Sequence, residues 1–374
     1  MPRNEIDVVE DFVLDSSSDE YNKAYRLWRR SGPSKYVFRF TKHGGERVFI
    51  DGEGFVDITA AKVSTKVLSN ISWLIGIILT FVLVCDTIGG SVLVGILRLF
   101  GISVQSSLLT MDMYGSQWAI VIVRMLLNVL KFLLPALCLI RCLRLPLRVV
   151  LPLKPQGDAE LLCGVSAAIL CGVFVSRLAE LMGDQLFTRQ LFYSYKDSFA
   201  VVVYAVFEVI VVSMLAELFF TGVLLQALRQ FGDIFALLFV AGVAFLLPNE
   251  LPYRIGSALI ALISGYCMFR TGSMMTSFFI RVAYAIANFS QLLFSEEGFG
   301  IYDGNQITLL MLLVVVIGIL IGALMHRLGK RKPQPLNRVE ILTVSQKTDA
   351  LFGSTTMLPW FACAVLLAII QIVT

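Results

Sequence analysis

Seven ionisable residues stand inside otherwise apolar stretches: Arg124, Lys131, Arg177, Glu180, Glu208, Glu217 and Arg281. Asp86 sits at the end of another. A charge in hydrocarbon is costly, so each marks either a helix-clamping pair or a functional group. The residue types narrow the chemistry. A carboxylate can act as a base or a ligand, whereas an arginine stays protonated and can only bind or neutralise. Only two histidines exist, His43 and His326, and neither lies in a charged apolar stretch. No HExxH zinc helix, GxSxG elbow or P-loop is present. The seven cysteines lie within or beside apolar segments without CxxC spacing. They read as small core residues, and the sequence offers no metal site.

The elements that must position these charges are membrane helices. Of 374 residues, 57% are hydrophobic and 16% charged, against roughly 25% charged in soluble domains. The formal charge of +4 argues for no nucleic-acid partner. A spanning helix needs ~20 mostly apolar residues. Nine stretches are candidates: Val67–Cys85, Gln117–Ile140, Ala159–Leu181, Phe199–Leu228, Ile234–Leu247, Ile255–Phe269, Met274–Phe294, Ile307–Met325 and Met357–Val373. The fourth is long, which predicts a bent or tilted helix. The fifth and sixth are short and meet near Pro248 and Pro252, which predicts two partial helices. No cleavable leader pattern is read in the polar first 66 residues.

The basic residues order these spans. With alternating connections, 23 of the Lys and Arg residues fall on one side, and only Arg98, Arg189, Lys196 and Arg254 on the other. That asymmetry predicts a cytoplasmic N-terminus and an outer C-terminus. Residues 1–20 are acidic around Ser16-Ser17-Ser18, and read as a disordered tail. Tyr36–Thr41 and Arg47–Ile50 flank His43-Gly44-Gly45 in a hairpin pattern. This segment is either a basic collar that enforces topology or an element docked on the bundle. The stretch Gly329–Ser354 is a second basic segment suited to an anionic leaflet.

At Ala216-Glu217-Leu218-Phe219-Phe220-Thr221-Gly222 the chain resembles the first motif of the CPBP family (CAAX proteases and bacteriocin-processing enzymes, also called Abi), normally Glu-Glu-x-x-x-Arg followed by Gly. Leu224-Leu225-x-Ala227-Leu228-x-x-Phe231-Gly232 is similar to its continuation. The Phe-x-x-x-His motif falls on Phe245-Leu246-Leu247-Pro248-Asn249. The His-x-x-x-Asn motif follows Phe269-Arg270-Thr271-Gly272-Ser273 and falls on Arg281-Val282-Ala283-Tyr284-Ala285. Leu145-Pro146-Leu147 and Leu151-Pro152-Leu153-Lys154 resemble the lead-in, so the likeness covers about Leu143 to Phe294.

The resemblance implies an all-α polytopic fold and, in the family, a water-activating set of two glutamates, two histidines and an asparagine, with zinc as the metal to expect if that chemistry survives. Here Ala216 replaces the first glutamate, Thr221 the arginine, Asn249 and Arg281 the histidines, and Ala285 the asparagine. Glu217 alone is kept. A catalytic metal takes about three protein ligands, so the expected cofactor is none.

Depth makes the substitutions coherent. At ~1.5 Å per residue, Glu217 lies ~18 Å from Arg229, Arg281 ~16 Å from Arg270, and Asn249 ~22 Å beyond the start of its span. Arg281 is therefore expected either to face Glu217 with Asn249 as a hydrogen-bond partner, or to snorkel to the surface. Asn288 is placed to extend the network. Glu208, about half a turn out of phase with Glu217, is grouped with Arg124 and Arg177 as a structural ion cluster.

Four regions follow: a cytoplasmic segment over 1–66, two helices over 67–142, a CPBP-like core over 143–294, and two helices joined by a basic loop over 295–374. The expected function is a pseudoprotease of a bacterial cell membrane, acting as scaffold, regulator or immunity protein by binding a protein partner in the bilayer. An endopeptidase using Glu217 and a transporter of lipid or small molecules are the alternatives.

Overall fold

The computed structural model describes residues 20–38, 47–50, 54–57, 60–101, 104–106, 113–153, 157–182, 198–247, 251–294, 304–328 and 342–373. These are predominantly helical. The first described element is α1 (Glu20–Ser31). It continues through α2 (Ala60–Val84), which runs by way of a π-helical segment at Cys85–Gly89 into α3 (Gly90–Leu99). Next come α4 (Gln117–Leu143), the single turn α5 (Leu147–Val150) and α6 (Asp158–Met182). A continuous helix α7 spans Phe199–Phe231. Then follow α8 (Asp233–Leu246), α9 (Leu251–Thr271), α10 (Met274–Phe294), α11 (Gly304–Leu328), α12 (Val344–Phe352) and α13 (Met357–Val373).

Among the described residues, six helical stretches are long and apolar enough to cross a membrane. The count is seven if α12 and α13, bent by 86°, form one broken span. The expected nine is therefore not supported. Helix α8 has 14 residues, about 21 Å at ~1.5 Å per residue, against a ~30 Å hydrocarbon core. Nor is the sixth segment partial. Pro252 lies in the first turn of α9, where its missing N–H costs nothing, so the helix runs its full 21 residues. The first helix is longer than expected as well, because α2 and α3 join into 39 continuous residues.

Two short antiparallel ribbons complete the fold. Strand β1 (Arg47–Ile50) pairs with β2 (Gly54–Asp57), with Val48 opposite Val56. Strand β3 (Val104–Ser106) pairs with β4 (Met113–Gly115). The expected hairpin of Tyr36–Thr41 with Arg47–Ile50 is not supported, and residues 39–41 lie outside the described residues. Arg47–Ile50 turns forward to a later strand, while Ser34–Tyr36 form a turn. The reason is burial: Val37 and Phe38 are sequestered against the bundle rather than paired in a ribbon. His43-Gly44-Gly45 and the acidic residues 1–19 lie outside the described residues.

The core forms where apolar faces meet. The largest apolar cluster joins α1, α2, α4, α7 and α8, and within it Phe132, Phe219 and Phe220 meet in tilted and edge-on contacts. Helix α6 packs on α11 through small residues. A Cβ at Gly318 would collide with Ser166 Oγ, and one at Gly322 with Cys163 Sγ. That close approach drives helix association in lipid, where apolar burial gives little.

Helix α1 shows why the N-terminal segment is a docking element. Asn22, Tyr25, Trp28 and Arg29 are buried, a spacing that places them on one helical face. Tyr25 Oη donates to the Gln226 carbonyl at 3.1 Å, and Trp28 Nε1 to the Leu143 carbonyl at 3.0 Å. Gln230 accepts from the Phe38 N–H and donates to the Tyr36 carbonyl, each at 3.0 Å. Arg229 bonds Asp233 Oδ1 at 3.1 Å and stands over the rings of Tyr25 and Phe269. The ends of α4, α7 and α9 therefore meet at α1. Lys347 of α12, buried with Nζ over the Phe235 ring, ties α12 to the start of α8.

Candidate functional site

The centre of the bundle is built around one carboxylate. Glu217 lies in α7 and is fully buried, immediately before a π-helical segment at Leu218–Leu224. Arg281 of α10 donates from Nε to Glu217 Oε1 at 2.5 Å. Thr221 Oγ1 lies 2.8 Å from Glu217 Oε2 and also 2.8 Å from the Glu217 carbonyl. Both carboxylate oxygens are thus engaged. The Arg281 guanidinium stands over the Phe220 ring at 5.4 Å, which adds cation–π attraction in a desolvated setting. Two charges in low dielectric hold together only when well bonded, and here Glu217 is bonded at both oxygens while Arg281 donates through Nε.

Each residue singled out in the sequence can be placed around this pair. Ala216 is buried beside Glu217, and Ala285 is half-buried one turn beyond Arg281. Phe245 is half-buried in α8, and its carbonyl receives a long contact from Arg254 Nη1 at 3.4 Å. Asn249, expected to bond to the pair, lies outside the described residues. Asn288 does not extend the network. Its Oδ1 accepts from Ser176 Oγ of α6 at 3.3 Å, tying α10 to α6 instead.

The grouping of Arg124, Arg177 and Glu208 divides. Glu208 begins another π-helical segment and accepts from Asn128 Nδ2 of α4 at 3.0 Å, within electrostatic range of Arg124 and Lys131. Arg177 turns the other way. It pairs with Glu180 at 2.8 Å and donates to Asn305 and Thr308 at the start of α11. Sequence reasoning also missed a pair: Lys131 Nζ lies 2.7 Å from Asp86 Oδ2, joining α4 to the π-helical segment after α2. Two signals were present in the sequence. Arg124, Asn128 and Lys131 share one face of α4 at i, i+4 and i+7, and Thr221 stands four residues from Glu217.

The donor set around Glu217 does not suit a metal. Its neighbours are a guanidinium and a hydroxyl, and a cation would have to displace Arg281 to reach Oε1. Among the described residues no group of three or more His, Cys, Asp or Glu could hold a metal ion. Comparison of the chain with protein-family models, with curated proteins and with solved structures finds no match.

Proposed function

We propose that this chain is a non-catalytic relative of the CPBP membrane proteases, in which a buried ion pair stands where peptide hydrolysis would be carried out, and that it acts by binding another membrane protein as a scaffold, regulator or immunity-type protein. The observation that supports this reading is the Glu217–Arg281 contact, with Thr221 on the second carboxylate oxygen. A general base must have a lone pair free to receive a proton from water. Here each oxygen already accepts a hydrogen bond and the charge is paired, and an arginine at the position of a motif histidine cannot take the proton. The reading includes no cofactor.

In this proposal the protein sits in a bacterial cell membrane with α1 on the cytoplasmic side and Thr374 outside, because the basic residues gather at the α1 end of the bundle. Cysteines placed at Ser345 and Gln306 in a cysteine-free background test that orientation. External labelling at Ser345→Cys with none at Gln306→Cys reverses it.

Metal analysis of the purified protein beside a peptide-cleavage assay, with Glu217→Gln as control, tests the lack of catalysis. Stoichiometric zinc, or cleavage lost in Glu217→Gln, overturns the reading and favours an endopeptidase. A second reading, transport, draws on the separate polar set of Asp86, Lys131, Asn128 and Glu208 within the helices. Uptake of solute by reconstituted vesicles, abolished by Lys131→Met but not by Arg281→Met, would favour it.

A further inference from the structure

Two short amphipathic pieces lie side by side at the α1 end of the bundle, and each exposes a leucine among cations. Helix α1 buries Asn22, Tyr25, Trp28 and Arg29, and leaves Lys23, Leu27 and Arg30 on an exposed stripe at i, i+4 and i+7. Its neighbour α5 buries Val149 and Val150 and exposes Leu147 and Arg148. Leu27 is 63% exposed and Leu147 65%. Arg141 and Arg144 at the end of α4 are exposed beside them. No Asp or Glu occurs between Tyr21 and Phe38 or between Arg141 and Leu153.

Depth decides what this surface meets. The Val150 carbonyl would lie 2.8 Å from a Cβ on Gly222, seven residues inside the Arg229 end of α7. That is ~10 Å along the helix axis, so α5 lies at the level where headgroups give way to acyl chains. Arg144 holds a left-handed backbone, φ 50°, at the C-cap of α4. Glycine would adopt that conformation at lower cost, and an arginine there sets a cation at the same level.

We propose that Lys23, Arg141, Arg144 and Arg148, with the exposed Leu27 and Leu147 of the same packed elements, form a binding surface for the headgroups of anionic phospholipids. The leucines insert at the acyl boundary while the cations meet phosphate, the arrangement by which amphipathic segments hold to charged leaflets. The shape of the surface is set by the bundle, so it selects lipid without needing to fold on it.

The test uses the full chain in nanodiscs of equimolar phosphatidylcholine and phosphatidylglycerol, with the lipid that remains bound on re-extraction identified by mass spectrometry. Phosphatidylglycerol should be enriched on the wild type. The enrichment should fall on the order of tenfold or more in the combined variant Lys23→Gln, Arg141→Gln, Arg144→Gln and Arg148→Gln. The variant Arg144→Lys with Arg148→Lys should keep it. No enrichment on the wild type, or undiminished enrichment on the glutamine variant, overturns the proposal. So does enrichment that emerges only after Asp7→Asn, Glu10→Gln, Asp11→Asn and Asp15→Asn, since the acidic N-terminal residues would then be the occupant.

Discussion

Arg281 holds Glu217 through a single nitrogen, Nε, rather than through the fork of its guanidinium, and its Nη2 is buried without a hydrogen-bond partner. The second carboxylate oxygen is left to Thr221, one turn along α7. The pair is therefore a three-residue unit across two helices. Its members carry unequal shares.

Removing either charge strands the other in low dielectric, at about 3–5 kcal/mol. Glu217→Leu and Arg281→Met should each lower the melting temperature sharply in detergent, while the double variant recovers most of the loss. A cycle of the four proteins measures the coupling. Additive losses would mean that the two side chains act independently.

Thr221→Val keeps the shape and deletes the hydroxyl. It should cost ~1–3 kcal/mol, the penalty for leaving a buried carboxylate oxygen unsatisfied. Thr221→Ser should stay near wild type. Denaturation in a graded detergent series compares them, and equal stability of Val and Ser variants would remove Thr221 from the unit.

The docked face of α1 should be costly to truncate. Trp28 is buried and donates to the Leu143 carbonyl, so Trp28→Ala should lose about 3–5 kcal/mol of local stability. Limited proteolysis should then cut between Ser31 and Lys35. Leu27→Ala, on the exposed stripe, should leave cleavage unchanged.

The α6–α11 contact depends on small residues. Gly318→Ala should destabilise modestly, whereas Gly318→Leu with Gly322→Leu should force the helices apart, at more than the ~1–3 kcal/mol typical of overpacking. Loss of a Cys163-to-Gly322→Cys crosslink in the Gly318→Leu background would report the separation.

Most helix positions were legible because long apolar runs admit little else, and counting residues along two helices put Glu217 and Arg281 at one depth while leaving contact or snorkelling open. What failed depended on neighbours. The sequence of α1 is strongly polar on average, and half of its buried face is Asn22 and Arg29, so a search for apolar runs passes over it despite its helical amphipathic period. The span count failed at α8, an apolar run of only 14 residues that is too short to cross by itself. The separation of Arg177 from Glu208 could not be read either. Each is flanked by acids and bases at similar depth, and only the packing of α11 on α6 decides which way Arg177 turns.

Tyr25 closes on Gln226, 201 residues later in the chain. At ~5–20 residues per second of synthesis, that partner emerges about 10–40 s after α1 does. Helix α1 therefore completes its docking only after much of the bundle has been made. Until then Tyr25 lacks its acceptor, although the Leu143 carbonyl that receives Trp28 is made earlier. Failure to insert α7 would leave that face open, giving quality-control machinery a visible mark of an unfinished molecule.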